Sequence, residues 1–405
     1  PLASRAAAPR ISTNTTLDGS LGSVANGRTA MIRFEKVSKR FGTDTYAVEN
    51  LDLDIDEGEL CVLVGPSGGG KTTILRMVNR LVEPTSGRVL LNGEDVAKID
   101  RVELRRRTGY VIQQAGLFPH LKVSANVAAV PRLLGWDKTR IRNRVNEMLE
   151  LVGLDPAQYA NRYPSELSGG QAQRVGVARA LAGDPPVLLM DEPFGAVDPI
   201  ARDRLQQEFL SLQAQLHKTV MFVTHDVDEA VILGDRIAVL KQGGVLQQYD
   251  TPADILGRPA TQFVADFVGT DRGLRRLAVT PIEITDLFTP PVVSPGATIA
   301  QANTALESSE ERWAVVVDHD GRLMGWVEPG KSPASESTDL VSEHMHRLEA
   351  WVPLNASLKT AFSEMLQHDA GWVAVGDGDR YVGILTPDAL HAALRRSVGG
   401  DPVPV

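Results

Sequence analysis

Gly65-Pro66-Ser67-Gly68-Gly69-Gly70-Lys71-Thr72 follows the apolar run Cys61-Val62-Leu63-Val64 and precedes the helical pattern Ile74-Leu75-Arg76-Met77-Val78. It satisfies G-x-x-x-x-G-K-[ST] in a strand-loop-helix setting, and that setting identifies a phosphate-binding loop. Glycines let backbone N–H groups wrap phosphate oxygens, and the N-terminus of the next helix adds positive potential. Lys71 is placed for β- and γ-phosphates and Thr72 for a magnesium ion. Gly65, Ser67, Gly68, Gly69, Gly70, Lys71, Thr72 and Thr73 are therefore the candidate nucleotide-binding set. Around this loop, residues 31–269 alternate short apolar runs with helical stretches, which predicts an α/β fold built on a mainly parallel sheet flanked by helices. Residues 61–64, 187–190 and 220–223 read as buried parallel strands. Each ends at a polar or glycine-rich loop, where open α/β sheets place their ligands.

Four further segments carry chemistry. Val187-Leu188-Leu189-Met190-Asp191-Glu192 is an apolar strand ending in two carboxylates, with Asp191 assigned to the magnesium shell and Glu192 to orienting or deprotonating an attacking water. Leu167-Ser168-Gly169-Gly170-Gln171 precedes a helical stretch, so Ser168 can cap that helix or present its hydroxyl, with the Gly169 and Gly170 amides, to a phosphate. The phosphate reading is preferred, because capping alone does not call for two consecutive glycines. His225 follows the strand at 220–223, at a sheet edge where it could touch a γ-phosphate. Gln113 follows Tyr110-Val111-Ile112 and is assigned to sensing the metal, with Gln114 as its neighbouring competitor.

The composition is ordinary for cores of two or three domains: 405 residues with 43% hydrophobic content. A formal net charge of -9 argues against a nucleic-acid footprint. The single cysteine, Cys61, reads as a small apolar filler in a buried strand. No stretch approaches the roughly 20 apolar residues of a spanning helix. Residues 1–30 show no apolar period and read as a disordered tail or expression scar, with Met31 as the expected native start.

After residue 269 the pattern changes. Residues 270–280 read as a linker, and the chain beyond them carries an internal repeat. Val293-Ser294-Pro295-Gly296-Ala297-Thr298-Ile299 answers to Val352-Pro353-Leu354-Asn355-Ala356-Ser357-Leu358, and Trp313-Ala314-Val315-Val316 to Trp372-Val373-Ala374-Val375, at a period of about 59 residues. Gly325-Trp326-Val327 answers to Gly383-Ile384-Leu385, one residue out of phase. Each unit reads as strand, helix, strand, turn, strand, helix. Trp313 and Trp372 are candidates for stacking on a ligand, but their matched repeat positions favour core packing.

Lys71, Gln113, the Leu167 to Gln171 segment, Asp191-Glu192, Gly195-Ala196-Val197-Asp198 and His225, in that order, resemble the ATP-binding subunits of ABC transporters over residues 31–269. The resemblance implies a P-loop ATPase domain with a helical subdomain, ATP and Mg²⁺ as cofactors, and a homodimer. Ser168, Gly169, Gly170 and Gln171 of one copy would complete the site of the other, with Asp198 at the dimer interface. Phe41 would stack on adenine, with Tyr46 nearby as its competitor, and Gln113 would join Thr72 and Asp191 at the metal. Leu117-Phe118-Pro119-His120 looks like the importer pattern that meets a permease.

The linker and the repeats resemble osmoprotectant importers for glycine betaine, proline, carnitine or choline, whose ATPases end in a tandem CBS α+β module. That implies CBS repeats at 281–339 and 340–398, a tail at 399–405, permease and substrate-binding-protein partners, and a place on the cytoplasmic face of the cell membrane. Ionic-strength sensing, cyclic dinucleotide binding and dimerisation all stay open for the repeats. In Thr386-Pro387-Asp388 the acid stands one residue early for the usual ribose contact, and the first repeat has Glu328-Pro329-Gly330. The rival readings are a non-transport sensor or assembly ATPase and an importer ATPase for another small solute.

Overall fold

The computed structural model describes residues 30–42, 45–113, 116–195, 197–309, 311–329, 338–348 and 350–397. Gln114, Ala196, Gly330, the expected leader up to residue 29 and the expected tail at 399–405 lie outside the described residues. The N-terminal part runs β1 (Ala30–Phe41), β2 (Thr45–Asp56), β3 (Leu60–Val64), the helix Lys71–Val78, β4 (Ser86–Leu91), β5 (Glu94–Asp95) and β6 (Thr108–Val111). A helical region at 123–181 comes next, then β7 (Val187–Asp191), the helix Pro199–Leu216, β8 (Thr219–Val223), β9 (Arg236–Lys241) and β10 (Val245–Asp250).

The strands form two sheets. An antiparallel one has the order β2-β1-β4-β5, and a six-stranded one the order β10-β9-β3-β8-β7-β6. In the second, β9, β3, β8, β7 and β6 are mutually parallel and β10 closes the edge antiparallel to β9. All residues of β3, β7 and β8 are buried, as continuous apolar runs require of strands covered on both faces. The period of two sends Leu60, Val62 and Val64 into one core with Phe222, Met190 and the helical region, and Cys61 and Leu63 into a second core with Phe34, Leu75 and Leu189. Cys61 is fully buried, and burial pushes its thiol pKa upward, so it is the inert filler the sequence predicts.

The charged helix expected before the Leu167 segment is Lys138–Leu151, capped by Asp137, whose carboxylate accepts from the Thr139 and Arg140 amides. It packs in the first core through Val145, Met148 and Leu149. With Val123–Val127, Ala129–Leu133, Pro156–Tyr159 and Gly169–Leu181 it makes the helical subdomain.

The C-terminal module repeats one unit. In the first, β11 (Val292–Val293), the helix Ile299–Leu306, β12 (Ala314–Val317), β13 (Leu323–Val327), the helix Val341–His344 and β14 (His346–Arg347) give the sheet β11-β12-β13-β14. In the second, β15 (Trp351–Pro353), the helix Leu358–Gln367, β16 (Val373–Asp377), β17 (Arg380–Leu385) and the helix Pro387–Arg396 give β15-β16-β17. Matched residues Thr298 and Ser357 both cap their helices, accepting from Gln301 N at 3.2 Å and Thr360 N at 3.3 Å. This accounts for the repeat in the sequence: it preserves a cap between a parallel strand and a helix.

The module departs from the expected layout in three ways. Residues 272–279, inside the expected linker, form the helix Arg272–Val279, whose Leu277 is buried with Ile282, Val352, Leu358 and Leu385 in the core of the second unit. The first unit extends past the expected border at 339, since Val341 lies in its core and β14 pairs with β13. Both shifts have one cause: these apolar side chains find their complement across the repeat border. Trp313 and Trp372 belong to neither core; both are half-buried and stack on each other between the units, centroids 5.0 Å apart and planes within 8°. Their shared repeat position brings them together at the pseudo-symmetric junction instead.

Replacing Leu277 with Ala should cost the C-terminal module about 2–5 kcal/mol. Calorimetry of the full chain is expected to show one transition lowered and the ATPase-domain transition in place; a single joint shift would contradict the assignment of Leu277 to the second unit.

Candidate functional site

Parallel pairing fixes the site. The P-loop follows β3, His225 follows β8, Asp191-Glu192 ends β7 and Gln113 follows β6, so neighbours in the order β3-β8-β7-β6 deliver all four loops to one sheet edge. The P-loop backbone needs its glycines. A Cβ at Gly65 would stand 2.1 Å from the Leu240 carbonyl oxygen, and Gly70, at φ 72°, would place one 2.2 Å from the Ala47 carbonyl oxygen. Ser67 and Gly68 face solvent, Gly69 is buried, and Thr72 and Thr73 are half-buried at the start of the helix Lys71–Val78.

Lys71 is buried, and its ammonium donates to the carbonyls of Gly65 at 2.7 Å and Pro66 at 3.0 Å. Desolvation pulls its pKa below the usual lysine value, opposed by the charges of Glu192 and Asp191. Thr72 Oγ1 donates to Asp191 Oδ1 at 2.9 Å. Asp191 is only 6% exposed, and its Oδ2 accepts from Tyr110 Oη at 3.4 Å and Arg76 Nη2 at 3.5 Å. A buried carboxylate of this kind is tolerable because every partner is a donor or a cation.

Glu192 gathers the other two predicted residues. Gln113 Nε2 donates to Glu192 Oε2 at 3.0 Å, and His225 Nδ1 lies 3.3 Å from the same oxygen. The Glu192 backbone sits at φ 46°, a conformation non-glycine residues seldom adopt. It is held there by its amide donating to Val223 O at 3.0 Å and its carbonyl accepting from Gly195 N at 3.1 Å. Strain of this sort, locked by neighbours on both sides, is typical of functional loops.

Ser168 is a helix cap in fact: its Oγ accepts from Gln171 N at 3.3 Å, while Gln171 Oε1 accepts from Ser168 N at 3.0 Å. Gln171 Nε2 also donates to Tyr159 Oη at 3.1 Å. The two glycines answer to no contact within the chain, since a Cβ at Gly169 would meet nothing within 4 Å and one at Gly170 would only touch Leu205 Cδ1 at 3.6 Å. Among the described residues, no side-chain hydrogen bond or ion pair joins this segment to the P-loop or Glu192 of the same chain. Asp198 is exposed just ahead of the helix Pro199–Leu216, its carbonyl accepting from Arg202 N at 2.9 Å. Phe41 is 56% exposed at the end of β1, while Tyr46 is covered by Arg40, whose guanidinium lies 3.9 Å from its ring centroid.

Four contributors escaped the sequence reading. Arg76 and Tyr110 reach Asp191 from a helix face and a strand interior, where nothing distinguishes them from surface and core residues. Asn126, fully buried, organises the Phe118 loop by accepting from Phe118 N at 2.7 Å and donating to the carbonyls of Phe118, Leu121 and Lys122. Arg179 donates to Gly116 O at 2.7 Å from the helix that Ser168 begins. The loop so held presents Phe118, 45% exposed, with His120 edge-on to it. Replacing Gly70 with Ala removes no side-chain contact yet should weaken ATP binding by at least about a hundredfold, the cost of a strained φ and a backbone clash. Calorimetric titration checks this, and near-normal affinity would contradict the backbone role.

Comparison with known proteins agrees with this geometry. The ABC transporter family model matches residues 48–195 and the CBS domain model residues 341–396. The chain is 44% identical to the osmoprotectant import ATP-binding protein OsmV of Salmonella typhimurium, over 89% of this chain and 95% of that one. It is 43% identical to the glycine betaine/carnitine/choline transport ATP-binding protein OpuCA of Bacillus subtilis, over 92% and 98%. Among solved structures, cbiO1 from Clostridium perfringens, part of the ABC transporter complex cbiONQ, superposes with a TM-score of 0.53 at 25% identity, covering 57% of this chain and 92% of that chain. With its P-loop, its paired carboxylates and its CBS-type module, and with relatives of 43–44% identity matched almost end to end, the chain belongs to the ATP-binding subunits of ABC transporters.

Proposed function

We propose that this chain binds and hydrolyses ATP to energise an importer of quaternary-amine osmoprotectants, acting as a pair of copies under a permease. The observation that carries the reading is the convergence of Gln113 and His225 on Glu192 beside the Thr72–Asp191 pair. Relatives named for osmoprotectant, glycine betaine, carnitine and choline transport favour import over a non-transport sensor.

Nucleotide binding draws the Lys71 ammonium from two backbone carbonyls to phosphate oxygens, a stronger, charge-assisted set of bonds. The exposed Phe41 ring supplies an adenine platform. Thr72 and Asp191 offer hard oxygen donors 2.9 Å apart, a set that suits Mg²⁺. When bound, that ion supplies neutralising charge to the phosphates. Both neighbours of Glu192 engage Oε2, which fixes the carboxylate and directs Oε1 to receive a proton from the attacking water. His225 and Gln113, on the loops after β8 and β6, couple that carboxylate to the γ-phosphate side and to the Phe118 loop.

Gly169, exposed, and Gly170, half-buried, leave room for the phosphates of a second copy, with Ser168 and the helix N-terminus behind them and Gln171 steadying the cap. ATP is then held between Lys71 of one copy and Ser168 of the other, Asp198 lies along the contact, and hydrolysis reopens the pair. Among the described residues no helix is long and apolar enough to cross a membrane. The Phe118 loop is the surface we assign to the permease, which places the chain at the cytoplasmic face through that partner.

Glu192→Gln should lower turnover by about 10²–10⁴-fold while leaving ATP binding intact, so that light scattering detects an ATP-dependent dimer. Steady turnover near that of the parent chain would remove Glu192 from the role. In vesicles with permease and binding protein, ATPase activity should rise with glycine betaine, and more so at higher ionic strength; indifference to the solute would refute the assigned cargo.

A further inference from the structure

Among the described residues, the polar contact of the His225 ring is with Glu192. The ring is otherwise exposed, so its aim is set by the backbone on either side, at Thr224 and Asp226. Both neighbours are tied to the helix Pro199–Leu216, which starts directly after Asp198. Thr224, buried, faces the Glu229 carboxylate and stabilises its charge, and Glu229 Oε1 accepts from Gln206 Nε2 at 3.0 Å. Asp226 caps the helix Val227–Leu233 by accepting from the Asp228 and Glu229 amides, and its Oδ2 lies 3.9 Å from Arg202 Nη1. Arg202 in turn donates from Nη2 to the Val197 carbonyl at 3.2 Å and from its amide to Asp198 O at 2.9 Å. Arg202 and Gln206, four residues apart, share one helix face and meet Asp226 and Glu229 of the other helix. Two polar rungs therefore join the segment of Asp198 to the segment of His225.

Packing alone gives no reason for the inner rung. Gln206 and Glu229 are 4% and 6% exposed, and the residues flanking them, Leu205, Phe209, Ala230 and Val231, belong to an apolar core. An apolar pair of similar volume is often as stable in such a place. Burial pushes the Glu229 carboxyl above its usual range, against the opposing effects of Thr224, Gln206 and Arg202. What a buried hydrogen-bonded pair adds is a fixed register between two helices, since sliding either one would strand a polar atom. We propose that Gln206 and Glu229, with Arg202 and Asp226 as the outer rung, are positioning residues that carry the placement of Asp198 to His225 and so to the Glu192 carboxylate. Among the described residues, neither Gln206 nor Glu229 bonds to Glu192 or to the P-loop, so both act through others. This role rests on the proposed pairing of copies, in which Asp198 lies along the contact. A second copy that orders the Asp198 segment moves the start of its helix, and the rungs pass that movement to the His225 loop. Hydrolysis is thereby linked to closure of the pair, while nucleotide binding at Lys71 and Thr72, on another loop, is left alone.

The test is turnover of the full chain with permease and binding protein in vesicles, alongside ATP affinity by calorimetry and ATP-dependent dimer formation by light scattering in the Glu192→Gln background. Gln206→Met removes the donor at similar length and should lower kcat by about ten- to a hundredfold. KM for ATP, ATP affinity and dimer formation should stay within about twofold of the parent chain. Glu229→Gln keeps an oxygen that accepts from Gln206 and should lose at most about threefold in kcat. The double variant Gln206→Met/Glu229→Met closes an apolar core, so it remains informative where the single methionine variant misfolds. It should be as slow as Gln206→Met and bind ATP as the parent does. Turnover by the double variant at the parent rate would overturn the proposal, because stability alone would then have been at stake. So would a fall in its ATP affinity or dimer formation matching the fall in kcat, or Glu229→Gln as slow as the methionine variants. Failure of the underlying reading looks different: there Glu192→Gln itself turns over or forms no ATP-dependent dimer.

Discussion

The parallel register of β3, β8, β7 and β6 is the constraint on which the site depends. Neighbouring strands stand about 4.8 Å apart, so loops leaving their C-terminal ends are bound to meet. That spacing lets Gln113, after β6, and His225, after β8, close on Glu192 at the end of the strand between them. The same register carries Thr72 to Asp191 across the sheet edge. The strands hold this register because both faces are covered: a one-residue slip would exchange the two apolar cores of the domain. Packing far from any nucleotide thus sets distances of about 3 Å at the reacting end.

Buried polar groups around that edge obey a second rule. Asp191 is enclosed by a hydroxyl, a phenol and a guanidinium, and Asn126 by backbone groups of the loop it holds. The side-chain polar atoms of both Asp191 and Asn126 have partners, which makes their surroundings rigid. Lys71 is the exception in kind. Its partners are carbonyls of its own loop, and its charge is disfavoured by desolvation. An ammonium in that state gains more from phosphate oxygens than a solvated one would, because it has already lost its water.

What was legible in the sequence was what backbone chemistry dictates. The three buried strands, the P-loop, the capped helix beginning at Ser168 and the carboxylates closing β7 are local patterns, and each appears where its residues predict. Gln113, Glu192 and His225 were legible as strand-end residues, though their meeting needed the strand order. Arg76, Tyr110, Asn126 and Arg179 were not, since they act through positions that only tertiary packing defines. In the C-terminal module the repeat was visible because caps and strands recur, while the exchange of Leu277 and Val341 across unit borders was not. Apolar residues declare burial, not the core that will receive them.

That exchange has a mechanical consequence. The helix Arg272–Val279 is anchored at both ends of its surface: Leu277 sits in the second unit's core, and Arg276 donates to Ser397 Oγ at 2.8 Å. On its other side Arg275 pairs with Asp228, which lies in the first turn of the helix Val227–Leu233, directly after His225. Arg275 also donates to the Val268 carbonyl at the end of the ATPase domain. A flexible tether would isolate the two parts; this helix cannot shift with the module without working against an ion pair three residues from His225. An exposed pair of this kind contributes only about 0.2–1 kcal/mol, too little to drive the cycle and enough to bias it several-fold. Any coupling carried by this pair alone would fall at or below the roughly 1–3 kcal/mol typical between linked sites, so the buried Leu277 and not the ion pair is what ties the helix to the module.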